Sequence, residues 1–227
     1  VKTITKSAEC PALREWKREN SNSPQNIHYN YLGAPQRGPM LDAMVREQGG
    51  ICAYTMQSIR CVDTVWQAHI EHIFPRSLHP AQSVDWGNMV ACIPKPNEHA
   101  DYGAKLKDAY DPATSPFVNP TRNVASHFRF HENGELQGLT SEGEATVSPQ
   151  VLHLNHPHLL NDRKGKIKGA LDRKPSAVQA RQRAQQLRER DTRGMFEPYC
   201  EALAQVLEAY ATRLENKAQR MAGVRRP

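Results

Sequence analysis

Between positions 69 and 99 the chain sets down His69, Glu71, His72, Arg76, Asn88, Asn97 and His99, a run of imidazole, carboxylate, guanidinium and amide groups that suits one kind of chemistry. Hydrolysis of a phosphodiester needs an activated water, neutralisation of charge on the phosphorane-like transition state, and stabilisation of the departing oxygen. A hard divalent cation, Mg2+ or Mn2+, supplies the last two. Glu71 offers it a carboxylate oxygen, and Asn97 or His99 completes a sparse shell that leaves room for phosphate and water. His72, with an unperturbed pKa of ~6.5, takes a proton from water at neutral pH. Asn88 either orients that imidazole or pins the loop opposite it. His69 shares the strand face of Glu71, as an extra ligand or a phosphate contact. Each group alone is a weak signal, since a single buried His is usually a satisfied core residue and an Asn after Trp-Gly usually a turn residue. Their order and separation carry the reading. No second His follows His72 one helical turn on, which excludes the His-Glu-x-x-His protease pattern.

Adjacent strand residues point to opposite faces, so Glu71 and His72 meet one phosphate only where the strand ends or twists, and Pro75 provides for that. The strand is expected over residues 66–74, a companion over 51–54, and about a dozen residues between them. Residues 85–92 re-enter the fold through Trp86, Met89 and Val90. Upstream, residues 11–19 read as a short helix and 20–26 as loop. Residues 39–48 read as a second helix, with Met40, Leu41, Met44 and Val45 at helical spacing between a proline and Gly49-Gly50. Downstream, the stretch 93–123 is rich in Pro, Asn and Asp, with room for a helix over 100–110. A hairpin is expected over 127–131 and 135–139 around Asn133-Gly134. From Pro175 onward the pattern is helical: one amphipathic stretch over 177–190, then an apolar stripe of Tyr199, Leu203, Val206, Leu207, Tyr210 and Leu214 that should pack against the body. The class is α+β, divided into an N-terminal arm (1–39), a site-bearing core (40–160) and a basic helical region (161–227).

The 227 residues carry a formal charge of +6, unevenly distributed. Residues 1–160 hold 14 Lys/Arg against 16 Asp/Glu, and residues 161–227 hold 16 against 8. A cationic segment attracts polyanions by counterion release, which fits a nucleic acid or an acidic protein surface; the bland alternative is a solvated, arginine-rich helix face. Five irregularly placed cysteines argue against a disulfide framework, and Cys10 and Cys200 read as core. No apolar run approaches the ~18 residues of a membrane span, and the N-terminus lacks a secretory pattern, so no membrane partner and a cytoplasmic location are expected.

Three strings give these residues a context: Gln48-Gly49-Gly50-Ile51-Cys52-Ala53-Tyr54; His69-Ile70-Glu71-His72 with Pro75-Arg76; and Asp85-Trp86-Gly87-Asn88-Met89 with Cys92. They resemble the HNH nuclease superfamily, and more closely the PtuB-like subunit of Septu and related retron anti-phage systems. Phe117-Val118-Asn119-Pro120, Phe128-Arg129-Phe130 with Asn133-Gly134, and Val151-Leu152-His153-Leu154-Asn155 extend the resemblance, which covers roughly residues 40–170. It implies a ββα-metal core embedded in a mostly helical domain. By position, Glu71 is the metal carboxylate, His72 the general base, Asn88 the structural amide and Asn97 the third-position ligand, with Lys105 or Lys107 as the lysine usual after it. Arg76 is a candidate phosphate contact. The resemblance further implies a nuclease subunit controlled by an ABC/AAA-type ATPase (PtuA-like), in some systems with a retron reverse transcriptase and its DNA. The substrate is DNA, or RNA such as transfer RNA. A self-sufficient HNH nuclease and a silent scaffold are the alternatives. Relatives commonly frame the site with Cys-x-x-Cys pairs, whereas here Cys52 and Cys92 remain as half of such a frame. Two thiolates fall short of a tetrahedral site unless Cys61 and His99 are recruited, so structural Zn2+ is not expected.

Overall fold

The computed structural model describes residues 1–224, and residues 225–227 of the basic region lie outside it. In chain order the elements are α1 (Pro11–Glu19), α2 (Ala34–Glu47), β1 (Cys61–Val62), β2 (Val65–Trp66), β3 (His69–His72), β4 (Met89–Cys92), α3 (Ala104–Lys107), β5 (Phe128–Phe130), β6 (Leu136–Gly138), α4 (Ser141–Val147), α5 (Pro157–Leu171), α6 (Ala177–Leu187) and α7 (Cys200–Val224). Three antiparallel pairs, β1–β2, β3–β4 and β5–β6, are set among the helices, so the fold is α+β. None of the helices is long and apolar enough to cross a membrane among the described residues.

The N-terminal segment lies on the core. Leu13 and Trp16 of α1 are buried, and the Ile4 amide donates to the Pro120 carbonyl at 2.8 Å. Lys6 reaches further in: its ammonium donates to Glu47 at 2.5 Å and to the Met89 carbonyl at 3.0 Å, and sits 4.4 Å from the Trp86 ring centroid. One side chain thereby ties the arm to α2 and to β4.

Helix α2 starts five residues before the expected Pro39, which lies inside it. The missing amide at Pro39 would have bonded to a carbonyl of the first turn, a tolerable loss that early in a helix. Residues 51–54 make a tight turn and a single bridge, Ile51 to Ser58, instead of a strand. The Cys52 amide bonds to Gln57 and the Met56 amide back to Cys52, so an apolar run that suits a strand is a buried turn. The strand expected over 66–74 is divided between β2 and β3, and the helix expected over 100–110 is the single turn of α3. The hairpin around Asn133-Gly134 forms as β5–β6, with Gly134 at φ 86°.

The C-terminal helices pack on one another and on β5. Tyr199, Leu203, Val206 and Leu207 are buried, so the stripe packs into the body. Helix α5 lies mostly within the region expected to be helical from 161, but its inward stripe of Leu159, Arg163 and Ile167 carries no clear apolar period. Arg163 is buried and donates to the carbonyls of Gly134 and Leu154 and to Asn155, which satisfies a guanidinium inside the core. Gly49 and Gly50 have φ of 63° and 74°, and a Cβ on them would stand 2.4 Å from Phe196 and 2.6 Å from Met195. Glycine is required there both for conformation and for the approach of the 195–196 segment.

Candidate active site

Strand β4 is fully buried and anchors the site. Its register sets Glu71 opposite Val90 and His72 opposite Met89. The buried amide of Gln48 holds the strand from behind, accepting from the Ala91 amide at 2.7 Å and donating to the Ala91 and Ile51 carbonyls at 2.9 Å each. Beyond His72 strand β3 ends, and the Ile73 amide bonds to the Asn88 carbonyl at 2.9 Å. The Asn88 side chain then accepts from the Phe74 amide at 2.7 Å and donates to the Phe74 and Gln82 carbonyls at 3.0 and 3.1 Å. Of its two candidate roles, Asn88 fills the second: it pins the 74–82 loop.

That loop carries the group which orients His72. The imidazole is 7% exposed, and its Nε2 lies 2.9 Å from the Ser83 carbonyl oxygen. A carbonyl only accepts, so the proton resides on Nε2 and the lone pair on Nδ1. Burial pushes the His72 pKa down to about 4, with the charges of Arg76, Lys107 and His28 acting in the same direction and the Ser83 hydrogen bond opposing them. The ring is therefore neutral at pH 7. Tyr29 packs edge-on against it, centroids 4.7 Å apart.

Glu71 sits in a different balance. Burial raises its pKa and the adjacent Lys107 lowers it, the net shift being upward. The Lys107 ammonium, fully buried, donates to Glu71 Oε1 at 3.1 Å and to the His72 carbonyl at 3.0 Å. Helix α3, coming after the β3–β4 pair, delivers that lysine. His69 Nδ1 lies 2.5 Å from the Pro94 carbonyl, which puts its proton there and leaves the Nε2 lone pair 4.0 Å from Glu71 Oε2. Burial also lowers the His69 pKa, which favours the neutral ring.

Glu71 and His72 line one cavity of about 860 Å³, together with Tyr29, Arg37, His69, Arg76, Lys105 and Asp108. The requirement that the strand end at His72 is thus met. Lys105 donates to the Pro96 carbonyl at 2.6 Å on the cavity rim. Asn97 and His99 are not among the lining residues: both are exposed, and His99 pairs with Asp101 at 2.6 Å. Asp108, at the end of α3, lines the cavity, and its charge bears on Glu71. Sequence reasoning passed over Asp108, Arg37 and Tyr29. Arg37 lies in the first turn of α2, upstream of the helix expected from Pro39, and Asp108 adjoins a lysine already singled out.

Cys52 and Cys92 are buried against each other. Burial drives the Cys52 pKa upward, but hydrogen bonds from the Cys92 and Thr55 side chains and from the Thr55 and Ile93 backbone bring it to about 6; burial first, and then the neighbouring Cys52, raises Cys92. Thr55 stands three residues after Cys52, the second position of a Cys-x-x-Cys pair. Cys61 lies exposed on β1, and His99 on the exposed loop.

Nothing closes a metal shell here: among the described residues no three His, Cys, Asp or Glu side chains converge. A sparse set is nevertheless present. The Nε2 lone pair of His69 and the free oxygen of Glu71 are 4.0 Å apart, less than twice a ~2.1 Å metal–ligand bond. Asp108 adds a second carboxylate to the cavity, and one or two carboxylates suffice for a cation that keeps water and phosphate as further ligands. No protein-family model matches the chain, and no curated protein matches it in sequence.

Proposed function

We propose that the chain is a metal-dependent HNH-type nuclease in which His72 activates the attacking water. The observation that carries this reading is the state of His72: a neutral imidazole, its Nε2–H held by Ser83 and its basic nitrogen left over, in the same cavity as Glu71. An antiparallel pair followed by a short helix is the order a ββα-metal core requires, and β3, β4 and α3 follow it.

Each residue has a part. His72 takes the proton of the water through Nδ1. Glu71, with His69 beside it, would hold a Mg2+ or Mn2+ ion that keeps water and phosphate as its other ligands, and whose chemistry when bound is to polarise the phosphate and stabilise the departing oxygen. Lys107 fixes the Glu71 carboxylate and offsets its charge. Asn88 and Ser83 hold the base in place through the loop.

The test is cleavage of plasmid DNA, single-stranded DNA and transfer RNA by the purified chain in Mg2+ or Mn2+, with and without an ATPase encoded beside it. Cleavage that disappears in His72→Ala and Glu71→Ala supports the reading. Cleavage that survives either substitution overturns the corresponding role. Control by a PtuA-like ATPase, or by a retron reverse transcriptase and its DNA, is supported by the sequence resemblance alone; co-purification from the native operon checks it. If cutting persists after deletion of the neighbouring ATPase gene, the self-sufficient nuclease takes its place.

A further inference from the structure

One wall of the His72 cavity joins Arg76 to two residues outside every motif discussed above, Tyr29 and Arg37. Tyr29, in the turn Tyr29–Tyr31, presents its ring to two guanidiniums: Arg37 of α2 at 4.7 Å and Arg76 of the pinned loop at 4.8 Å from the ring centroid. The same ring packs edge-on against His72. Among the described residues neither arginine has a carboxylate within ion-pairing distance. Arg37 donates through Nη2 to the Tyr29 carbonyl at 3.2 Å, while its Nε is buried with no acceptor. An unmet buried donor destabilises the site until an acceptor reaches it.

The charge balance says which acceptor fits. Arg37, Arg76 and Lys105 line the cavity with Glu71 and Asp108, and Glu71 is already paired from behind by the buried Lys107, so the cavity holds a positive excess. Guanidiniums laid on an aromatic face keep their edges for planar, forked hydrogen bonds, the geometry that phosphate oxygens match. We propose that Arg37 and Arg76, seated on Tyr29, form a phosphate-binding subsite that grips the nucleic-acid backbone beside the bond attacked by His72. This rests on the nuclease reading for the identity of the strand, but the site itself is an anion site whether or not the chain cuts. Tyr29 couples the two functions, because one ring both supports the arginines and packs the base.

The test reads binding and cutting separately. The arginine Nε–H signals of the 15N-labelled chain are followed by NMR during titration with inorganic phosphate and with a 12-nucleotide oligothymidylate. Arg37 and Arg76 are expected to move together and to saturate. Arg37→Ala and Arg76→Gln are each expected to weaken oligonucleotide binding about tenfold, to lower the salt slope of that affinity by ~0.7 per arginine, and to raise KM more than they lower kcat. Arg76 is exposed, so its variant keeps the test valid if Arg37→Ala fails to fold. Signals that stay still with both probes overturn the subsite, as do variants that bind and cut like the parent. Equal response to a polyglutamate peptide also overturns it, in favour of an acidic protein partner. Saturating shifts in a chain that cuts no nucleic acid support the subsite and sink the nuclease reading instead.

Discussion

The C-terminal helices carry far more arginine and lysine than the walls of the His72 cavity, yet fewer of the cavity's cations are matched by carboxylates. On α6, α7 and the loop between them, Arg181 pairs with Glu215 at 2.6 Å, Arg188 with Glu208 at 2.5 Å, Arg193 with Asp191 at 2.9 Å, and Arg183 and Arg213 with Glu197 and Glu132. These charges lie in high dielectric beside partners that cancel their field at a distance. Around His72, Arg37 and Arg76 lie against an aromatic ring, and Lys107 is sealed from solvent. Counting charge along the chain does not by itself locate a polyanion site: what a polyanion meets depends also on which cations already have partners.

The largest effect expected inside the cavity is kinetic: His72→Ala should slow metal-dependent cleavage by about a thousandfold, the usual contribution of a general base, measured on chain whose circular dichroism is unchanged. Next comes Lys107→Met. Breaking a buried pair and leaving Glu71 alone should cost about 3–5 kcal/mol in urea unfolding, with part of the loss recovered in the Lys107→Met, Glu71→Gln double variant. No recovery would mean that packing, not charge, fixes this lysine.

His72 also makes stability depend on pH. Its folded pKa, about 4, lies below the value of ~6.5 for an exposed imidazole, so between these the unfolded chain binds a proton that the folded chain does not. Stability should rise with pH across that window and gain nothing from this group above it. In EDTA the difference between pH 4.5 and pH 7 should shrink by on the order of 2 kcal/mol in His72→Gln. Glu71, pushed upward, works in the opposite direction and is common to both chains. An unchanged pH profile in the variant would refute the buried, neutral imidazole.

The smallest effects belong to the helices. Arg188→Gln, which breaks partly exposed pairs with Glu208 and Glu201, should cost at most about 1 kcal/mol and less as salt rises. Arg181→Gln and Arg183→Gln should leave oligonucleotide affinity within twofold. A tenfold loss there would erase the contrast between the two regions.

What the sequence disclosed follows the same division between local and assembled features. Helix α1 was legible at both ends because a proline opens it and Leu13 and Trp16 mark one face. The β5–β6 hairpin was legible from a turn that needs glycine. Glu71, His72 and Asn88 were legible as a spaced set, although only the structure distinguishes pinning the loop from touching the ring. Helix α5 shows no clear apolar period because an arginine sits in its core stripe, and residues 51–54 were hidden by an apolar run that suits strand and buried turn alike. Arg37 and Asp108 carry no local signal. Their place at the cavity depends on how α2 and α3 are set against β3, which no short window of residues contains.

The docking of the 195–196 segment on Gly49-Gly50 bears on the order in which the molecule matures. Arg190 donates to the carbonyls of Arg46 and Glu47 at 3.0 and 2.7 Å, and the Phe196 amide to Gly49 at 2.8 Å, so the C-terminal end of α2 is capped by residues more than a hundred positions later. During synthesis Arg37 and Gln48 emerge long before those caps exist. Lys6 and Gln48 can hold the end of this helix to the arm and to β4 early, whereas the carbonyls of Arg46, Glu47 and Gly49 find their partners only when the 190–196 segment arrives.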